Sequence, residues 1–328
     1  MALVRSASPE IFAGVPPGVD PVAHIRAASP LPVHAEELID AAVTRQALAR
    51  LSVWDDIVNV LKLTYPIADW LGTMEIKWQK LGRAGGAKRT MLPDPGQIRG
   101  EDQKPGMGLD GVPVFCTWDD FTIHQRLLHA WARQGQQLDT TMVEQATRNV
   151  NESFEDLILY GASDILDSPF PVYGLLNAPS AVPTTFPKWT GSSVTGGDIL
   201  KNIIAFVKLA QGQHHYGPFR VYISTFYGNI LAEDYKEFGT ISILARLLEN
   251  KNIGAIVQAD LLPEDSVVLL DPVSTVIDVA IGQSPIALNW QTGPTALSVE
   301  NFLVLGVAVP RIKVDSVGQG GIVVATGI

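Results

Sequence analysis

Apolar residues recur along this chain with two periods, and the changes of period divide it into segments. Over residues 37–63, Leu48, Leu51, Trp54, Val58 and Leu61 fall on one helical face. Asp40 is the start signal and Pro66 ends the pattern, which predicts one amphipathic helix. MEIKWQKL (74–81) and VPVFCTW (112–118) alternate like strands and bracket a Gly/Pro-rich stretch of about thirty residues. That reads as a long hairpin, and so long a loop inside a compact domain usually marks a binding excursion. Residues 119–135 predict a helix ended by Gly135. The strongest helix follows: Thr141 and Glu144 make a capping-box pattern, and Val143, Ala146, Val150, Phe154, Leu157 and Ile158 make one apolar stripe. Gly161 stands at its C′ position, so with its cap the helix covers 140–160, about 30 Å.

Residues 162–197 are rich in Pro, Gly, Ser and Thr and read as a connector. Asp198 then caps a helix carrying Ile199, Ile203, Phe206, Val207 and Ala210. FRVYIS (219–224) reads as a buried strand, and TFYGNILAEDY and ISILARLLEN as short helices. AIVQA, SVVLL and STVIDVAI read as strands, and ENFLVLGVAVPRIKV and GGIVVATGI as long apolar strand material. Residues 1–36 hold no period: Pro9, Pro16, Pro17, Pro21, Pro30 and Pro32 exclude a helix or a central strand. A disordered tail and an extended arm laid on a neighbour both fit.

Composition narrows the class. Of 328 residues 46% are apolar and 18% charged, enough apolar material for a core. An apolar monomer and a subunit with surface buried in an assembly both satisfy it. The net charge of −10 disfavours a protein that grips DNA along its whole surface and permits one that contains DNA. The charge is uneven: Lys77 to Arg99 holds six bases and one acid, whereas residues 233–278 hold nine acids and three bases. With Cys116 as the single cysteine there is no intrachain disulfide and no cysteine zinc site. The N-terminal stretch lacks an apolar signal region, and no run approaches the ~18 apolar residues of a membrane span. The expectation is a soluble protein of a reducing cytoplasm.

Few residues are spaced for chemistry. His214 and His215 are adjacent and diverge, and His124 and His129 are five apart, so neither pair chelates. GRAGG (82–86) lacks the Lys-Ser/Thr and the strand–loop–helix setting of a phosphate loop. Cys116 lies in an apolar alternating run, where a buried structural thiol is expected. Asp119–Asp120 reads as a helix cap. No catalytic, metal or cofactor site is expected.

The order of parts is the positive signal. The passage 112–162 from hairpin strand into long helix, YGLLN (173–177), GPFRVYIS with TFYGNILAEDY (217–235), DVAIGQSPIALNW (278–290) and FLVLGVAVPRIKV (302–314) together resemble the Hong Kong 97 capsid fold. That α+β fold is shared by major capsid proteins of tailed phages and by encapsulin nanocompartments. The resemblance spans roughly residues 70–325 and rests on pattern and order. It implies an extended N-terminal arm (1–36), a P-domain helix and the strand leading into the hairpin (37–73), and an E-loop hairpin (74–112). It further implies a P-domain with spine helix 140–160 and connector (113–194), an A-domain (195–292), and strands returning to the P-domain (293–328).

The implied function is a major capsid protein that self-assembles through pentamers and hexamers into an icosahedral shell around a double-stranded DNA phage genome. The implied partners are copies of itself, portal and scaffolding proteins, a decoration protein, and packaged DNA held by weak non-specific contact, with no membrane. The implied location is the virion, after assembly in the bacterial host cytoplasm. The proline-rich arm departs from encapsulins, which keep an N-terminal helix there, and the length leaves little room for a fused scaffold. Some relatives cross-link a hairpin lysine. Lys77, Lys80, Lys88 and Lys104 are the candidates, but no partner asparagine is identifiable and no cross-link is expected. An encapsulin shell around a cargo enzyme and a soluble α/β enzyme are the alternatives.

The charge asymmetry suggests how subunits would meet. The expected contacts are the hairpin residues Trp78, Lys80, Lys88, Arg89, Met91, Leu92, Ile98 and Arg99, laid against acidic residues Glu233, Asp234 and Glu237 of a neighbour. Trp78, Met91, Leu92 and Ile98 would become buried only on assembly.

Overall fold

The computed structural model describes residues 20, 22–23, 33–48, 53–81, 107–124, 126–127, 130, 133, 140–162, 170–191, 194–235, 241–292, 298–314 and 318–328. They belong to two compact units. One is drawn from Met1–Arg50, Cys116–Ser153 and Gln283–Val307, the other from Leu51–Phe115, Phe154–Gly282 and Ala308–Ile328.

Helix α1 (Val33–Leu48) is followed by a helical turn at Val53–Asp55 that runs into a π turn at Asp56–Val60. Strands β1 (Thr64–Pro66), β2 (Glu75–Leu81), β3 (Met107–Pro113) and β4 (Cys116–His124) come next. Helix α2 (Thr141–Tyr160) leads into β5 (Gly161–Ala162), β6 (Val172–Tyr173) and β7 (Val182–Phe186). Then follow α3 (Gly196–Gly212), β8 (Phe219–Ser224), α4 (Thr225–Leu231), α5 (Ile243–Leu248), β9 (Ile253–Ala259) and β10 (Ser266–Leu270). The described elements end with β11 (Ile277–Thr292), β12 (Val299–Ile312) and β13 (Ile322–Gly327).

The second unit is organised on a mixed five-stranded sheet, β7-β13-β10-β8-β9. Strand β10 pairs antiparallel with β13 and with β8, while β8–β9 and β13–β7 are parallel. Its sequence, SVVLL, is buried along its whole length, as an unbroken apolar run in a central strand should be. Helix α3 lays Ile199, Ile203, Phe206, Val207 and Ala210 on the sheet, joining Val221, Ile223, Val267 and Leu269. Phe186, Trp189, Phe206 and Tyr227 close this core with ring centroids 4.6–6.1 Å apart. Each such buried side chain contributes about 1.5–3 kcal/mol.

A four-stranded sheet has the order β1-β11-β12-β4. Strand β1 runs parallel to β11 from Thr64↔Val279 to Pro66↔Ile281, and β4 runs antiparallel to β12 from Val299↔His124 to Val307↔Cys116. Opposed Phe121 and Phe302 stack with centroids 5.0 Å apart.

The C-terminus of α2 explains the YGLLN segment. Gly161 takes φ +71°, and a Cβ there would stand 2.2 Å from the Val172 carbonyl oxygen. Leu175 N and Leu176 N donate to the Ile158 and Leu159 carbonyls, and Asn177 Nδ2 donates to the Tyr160 carbonyl. The segment thus satisfies carbonyls that a helix end leaves open.

Several expectations are corrected. The single helix over 37–63 is in fact α1, which begins before Asp40, and a separate turn at Val53. The Glu155 carboxylate accepts from Val53 N and Trp54 N at 2.9 Å each, giving Val53 a helix start that local sequence does not announce. VPVFCTW is not one strand: β3 ends at Pro113 and β4 begins at Cys116. Residues 119–124 are strand, not helix. Trp118, Phe121, Thr122 and Ile123 suit a pleated surface, and β12 supplies the pairing. Asp119 and Asp120 therefore lie in a strand, and Cys116 is exposed at its start. Thr140, whose carbonyl takes the first helical bond from Glu144 N, caps α2 in place of Thr141. Thr195 caps α3. Asp198 accepts from the Thr195 amide and hydroxyl, which with Lys201 holds its carboxyl at about 2.

Candidate assembly surface

Strands β2 and β3 form an antiparallel ribbon from Glu75↔Pro113 to Leu81↔Met107. The return strand starts at Met107, earlier than the alternation at 112 suggests, because Met107–Gly111 pairs without an alternating apolar face of its own. One face of the ribbon is anchored: Ile76 and Val112 pack with Leu157, Val172, Ala280 and Val309, and Trp78 leans half-buried on the same cluster. Lys77 stands 5.8 Å above the Phe170 ring and 2.9 Å from the Glu75 carboxylate. Leu109, on the opposite face from Ile76 and Val112, is 62% exposed, and Met74, just before β2, is 83% exposed.

Beneath the ribbon is a charged clamp that the sequence reading missed. Asp278 on β11 accepts Arg311 Nε and Nη2 at 2.7 Å each, and Lys313 Nζ at 2.6 Å. Asp278 and Arg311 are both buried. The Arg311 guanidinium lies 4.0 Å from the Tyr65 ring centroid on β1 and 5.7 Å from that of Trp78 on β2. A bidentate guanidinium–carboxylate pair fixes angle as well as distance. The clamp therefore sets where the ribbon base lies on β1, β11 and β12. Its signal was present: an acid inside DVAI and a base inside VPRIKV place charges in buried strands, which demands partners.

A second buried polar set holds the 53–60 turn. Tyr222 Oη donates to Asp56 at 2.9 Å, and Arg220 stands 3.6 Å from the same carboxylate. Burial, then the Asp56 charge, pushes the Tyr222 hydroxyl well above its ordinary range.

The expected contact residues fare unequally. Trp78 is described and already packs on its own chain, so much of its burial does not wait for a neighbour. Lys80 lies in β2, but its side chain is outside the described residues, as are Lys88, Arg89, Met91, Leu92, Ile98, Arg99 and Glu237. Glu233 and Asp234 are exposed just after α4. The Glu233 carbonyl accepts from Ile243 N and Asp234 bridges to Ser242, which closes that loop.

The acidic stretch is less of a surface than its count suggests. Asp278 is consumed by the clamp, and buried Asp271 pairs with His215 Nδ1 at 2.8 Å. Asp265 pairs with Lys188, whose hydrogen bond holds the carboxyl below its ordinary range. Glu249, Asp260 and Glu264 remain exposed with Glu233 and Asp234. Among the described residues no group of three or more His, Cys, Asp or Glu is placed to hold a metal ion, and no described helix is long and apolar enough to cross a membrane.

Residues 66–325 match a family of unknown function, DUF6260. No curated protein matches the chain. Solved structures resemble it at low identity. A virus-like particle from Pyrococcus furiosus is 17% identical with a TM-score of 0.61, over 89% of this chain and 100% of that one. The capsid of Myoviridae phage XM1 is 15% identical with a TM-score of 0.61, over 83% and 92%. The capsid of cyanophage P-SCSP1u is 11% identical with a TM-score of 0.52, over 85% and 89%. The fold is the Hong Kong 97 fold, as the order of parts along the sequence implied.

Proposed function

We propose that this chain, which belongs to the family of unknown function DUF6260, is a shell subunit: a major capsid protein that self-assembles through pentamers and hexamers into an icosahedral container for a double-stranded DNA phage genome. The observation that carries the reading is the fold itself, matched over most of the chain in proteins that form capsids and virus-like particles. The ribbon supports it. Its base is clamped to its own chain while Met74 and Leu109 stay uncovered, which suits an arm built to reach a second subunit. On this reading the stretch ahead of α1 is the arm, 74–112 the E-loop, 195–292 the A-domain and β12 a returning strand, whereas β13 joins β10 in the five-stranded sheet and so departs from the expected return to the P-domain. Scaffolding and portal proteins are the further partners, and the virion is the location after assembly in host cytoplasm. The role is structural.

Subunit contacts would draw their affinity from apolar area, at about 25 cal/mol per Å². Exposed ion pairs contribute about 0–1 kcal/mol each and serve mainly register and orientation. Electron microscopy of purified full-length protein is the test. Hollow icosahedral particles are expected, and a small oligomer at every concentration and salt overturns the reading. For the basic hairpin, Lys88→Glu with Arg89→Glu is expected to lower assembly yield most at low salt. Equal yield across a salt series removes the charge-matching component. The virus-like particle likeness keeps a cargo-holding shell as the second reading, and nuclease-protected DNA against co-purified protein inside the particle separates the two.

A further inference from the structure

A cleft of about 460 Å³ opens beyond the last turn of α3, lined among others by Gln213, His214, His215, Tyr216, Lys313 and Gln319. Such a volume suits a small-molecule site. These six side chains all carry hydrogen-bond donors, in the case of a neutral imidazole on one nitrogen. Among the described lining residues none is acidic. The nearby acids are already paired: Asp271 is held by His215 Nδ1 at 2.8 Å, and Asp278 by Arg311 and Lys313. Lys313 also donates to the Ser274 carbonyl at 2.7 Å, which fixes its ammonium at the cleft wall.

Two further features point the same way. His214 is exposed and takes φ +66°, a left-handed conformation that side-chain-bearing residues rarely adopt. It is held there as His214 N donates to Gln211 O and His215 N to Ala210 O. Glycine would occupy that position without strain, yet the chain places an imidazole there. Tyr216, beside it, is 66% exposed, an aromatic face free to stack at the rim of a polar cleft.

We propose that this cleft binds a phosphate group carried on a nucleoside, either a free nucleotide or a unit of a nucleic-acid strand. Lys313, with one N–H left beyond those it gives to Asp278 and Ser274, supplies positive charge, His214 and Gln213 supply donors to phosphate oxygens, and Tyr216 stacks on the base. The site lies within one chain and does not rest on the shell reading.

The test is calorimetric titration of the full chain with inorganic phosphate, deoxyadenosine, dAMP and a short deoxyoligonucleotide. Saturable binding of dAMP is expected, roughly fivefold or more tighter than phosphate from stacking. Tyr216→Ala should remove that advantage and leave phosphate binding in place. His214→Gly should weaken phosphate and dAMP alike by about tenfold, the loss of one charge-assisted hydrogen bond. Its thermal midpoint should not fall, because glycine relieves the left-handed strain, so lost binding cannot be blamed on unfolding. Oligonucleotide binding sensitive to both variants assigns the phosphate to a strand, whereas dAMP binding without it assigns the site to free nucleotide. No saturable binding of phosphate or dAMP, or binding unchanged in both variants, overturns the proposal.

Discussion

The five-stranded sheet and the base of the β2–β3 ribbon lie in the same unit and are held by opposite means. Over the sheet, Phe206 of α3 belongs to a cluster of many apolar side chains, and such packing tolerates small changes of shape. Under the ribbon, one carboxylate receives two cations, and one of those cations lies over two aromatic rings. Apolar burial is redundant and undirected, whereas the clamp is directed and has no spare partner. A subunit that must present an arm at a fixed angle gains from the second kind of contact, even though replacing a buried ion pair by apolar groups is often neutral or better for stability.

Asp278 is where the directed contact is most vulnerable. Asp278→Ala leaves Arg311 and Lys313 without their carboxylate and is expected to cost about 3–5 kcal/mol in denaturant unfolding. The double variant Asp278→Leu with Arg311→Met should recover much of that loss while leaving the ribbon base less well fixed. Amide exchange in Glu75–Leu81 that stays slow in the recovered variant would show that the clamp does not orient the ribbon. In the apolar core, Ile203→Val should cost only about 0.5–1.5 kcal/mol. Because Ile203 and Asp278 share no partner among the described residues, the two losses should add within about 0.5 kcal/mol, and a larger coupling would show that the core and the clamp act as one region.

The smallest effect belongs to the α3 cap. The Asp198 carboxyl titrates at about 2 in the fold against an ordinary 3.8, so its native value is depressed. Its contribution is therefore complete above about pH 4 and disappears as the pH falls toward 2. Asp198→Asn should flatten the acid limb of the stability profile in that window and leave the neutral-pH slope alone. Because the carboxylate is exposed, salt should shrink the effect.

Much of this was legible in the linear pattern. The stripe of α2, the face of α3, and FRVYIS and SVVLL as buried strands followed from apolar spacing, because burial of a periodic face is a local property. What was not legible depended on partners far along the chain. Val53 begins a helix because Glu155 receives its amide, about a hundred residues away. DDFTIH becomes a strand because β12 offers an edge. The nine acids of 233–278 form one run of negative charge in the sequence, yet Asp271 and Asp278 face inward to His215 and Arg311.

By itself, then, the sequence determined the order and apolar faces of the long helices α2 and α3 and of the central strands, and the glycine that ends α2, since these depend on spacing and local sterics. Tertiary structure alone decided where the first helix breaks, which strands the segment 107–124 joins, and which charges are surface and which are clamp. Those outcomes turn on pairing between residues remote in sequence, and neither hydrogen bonds nor ion pairs leave a period along the chain.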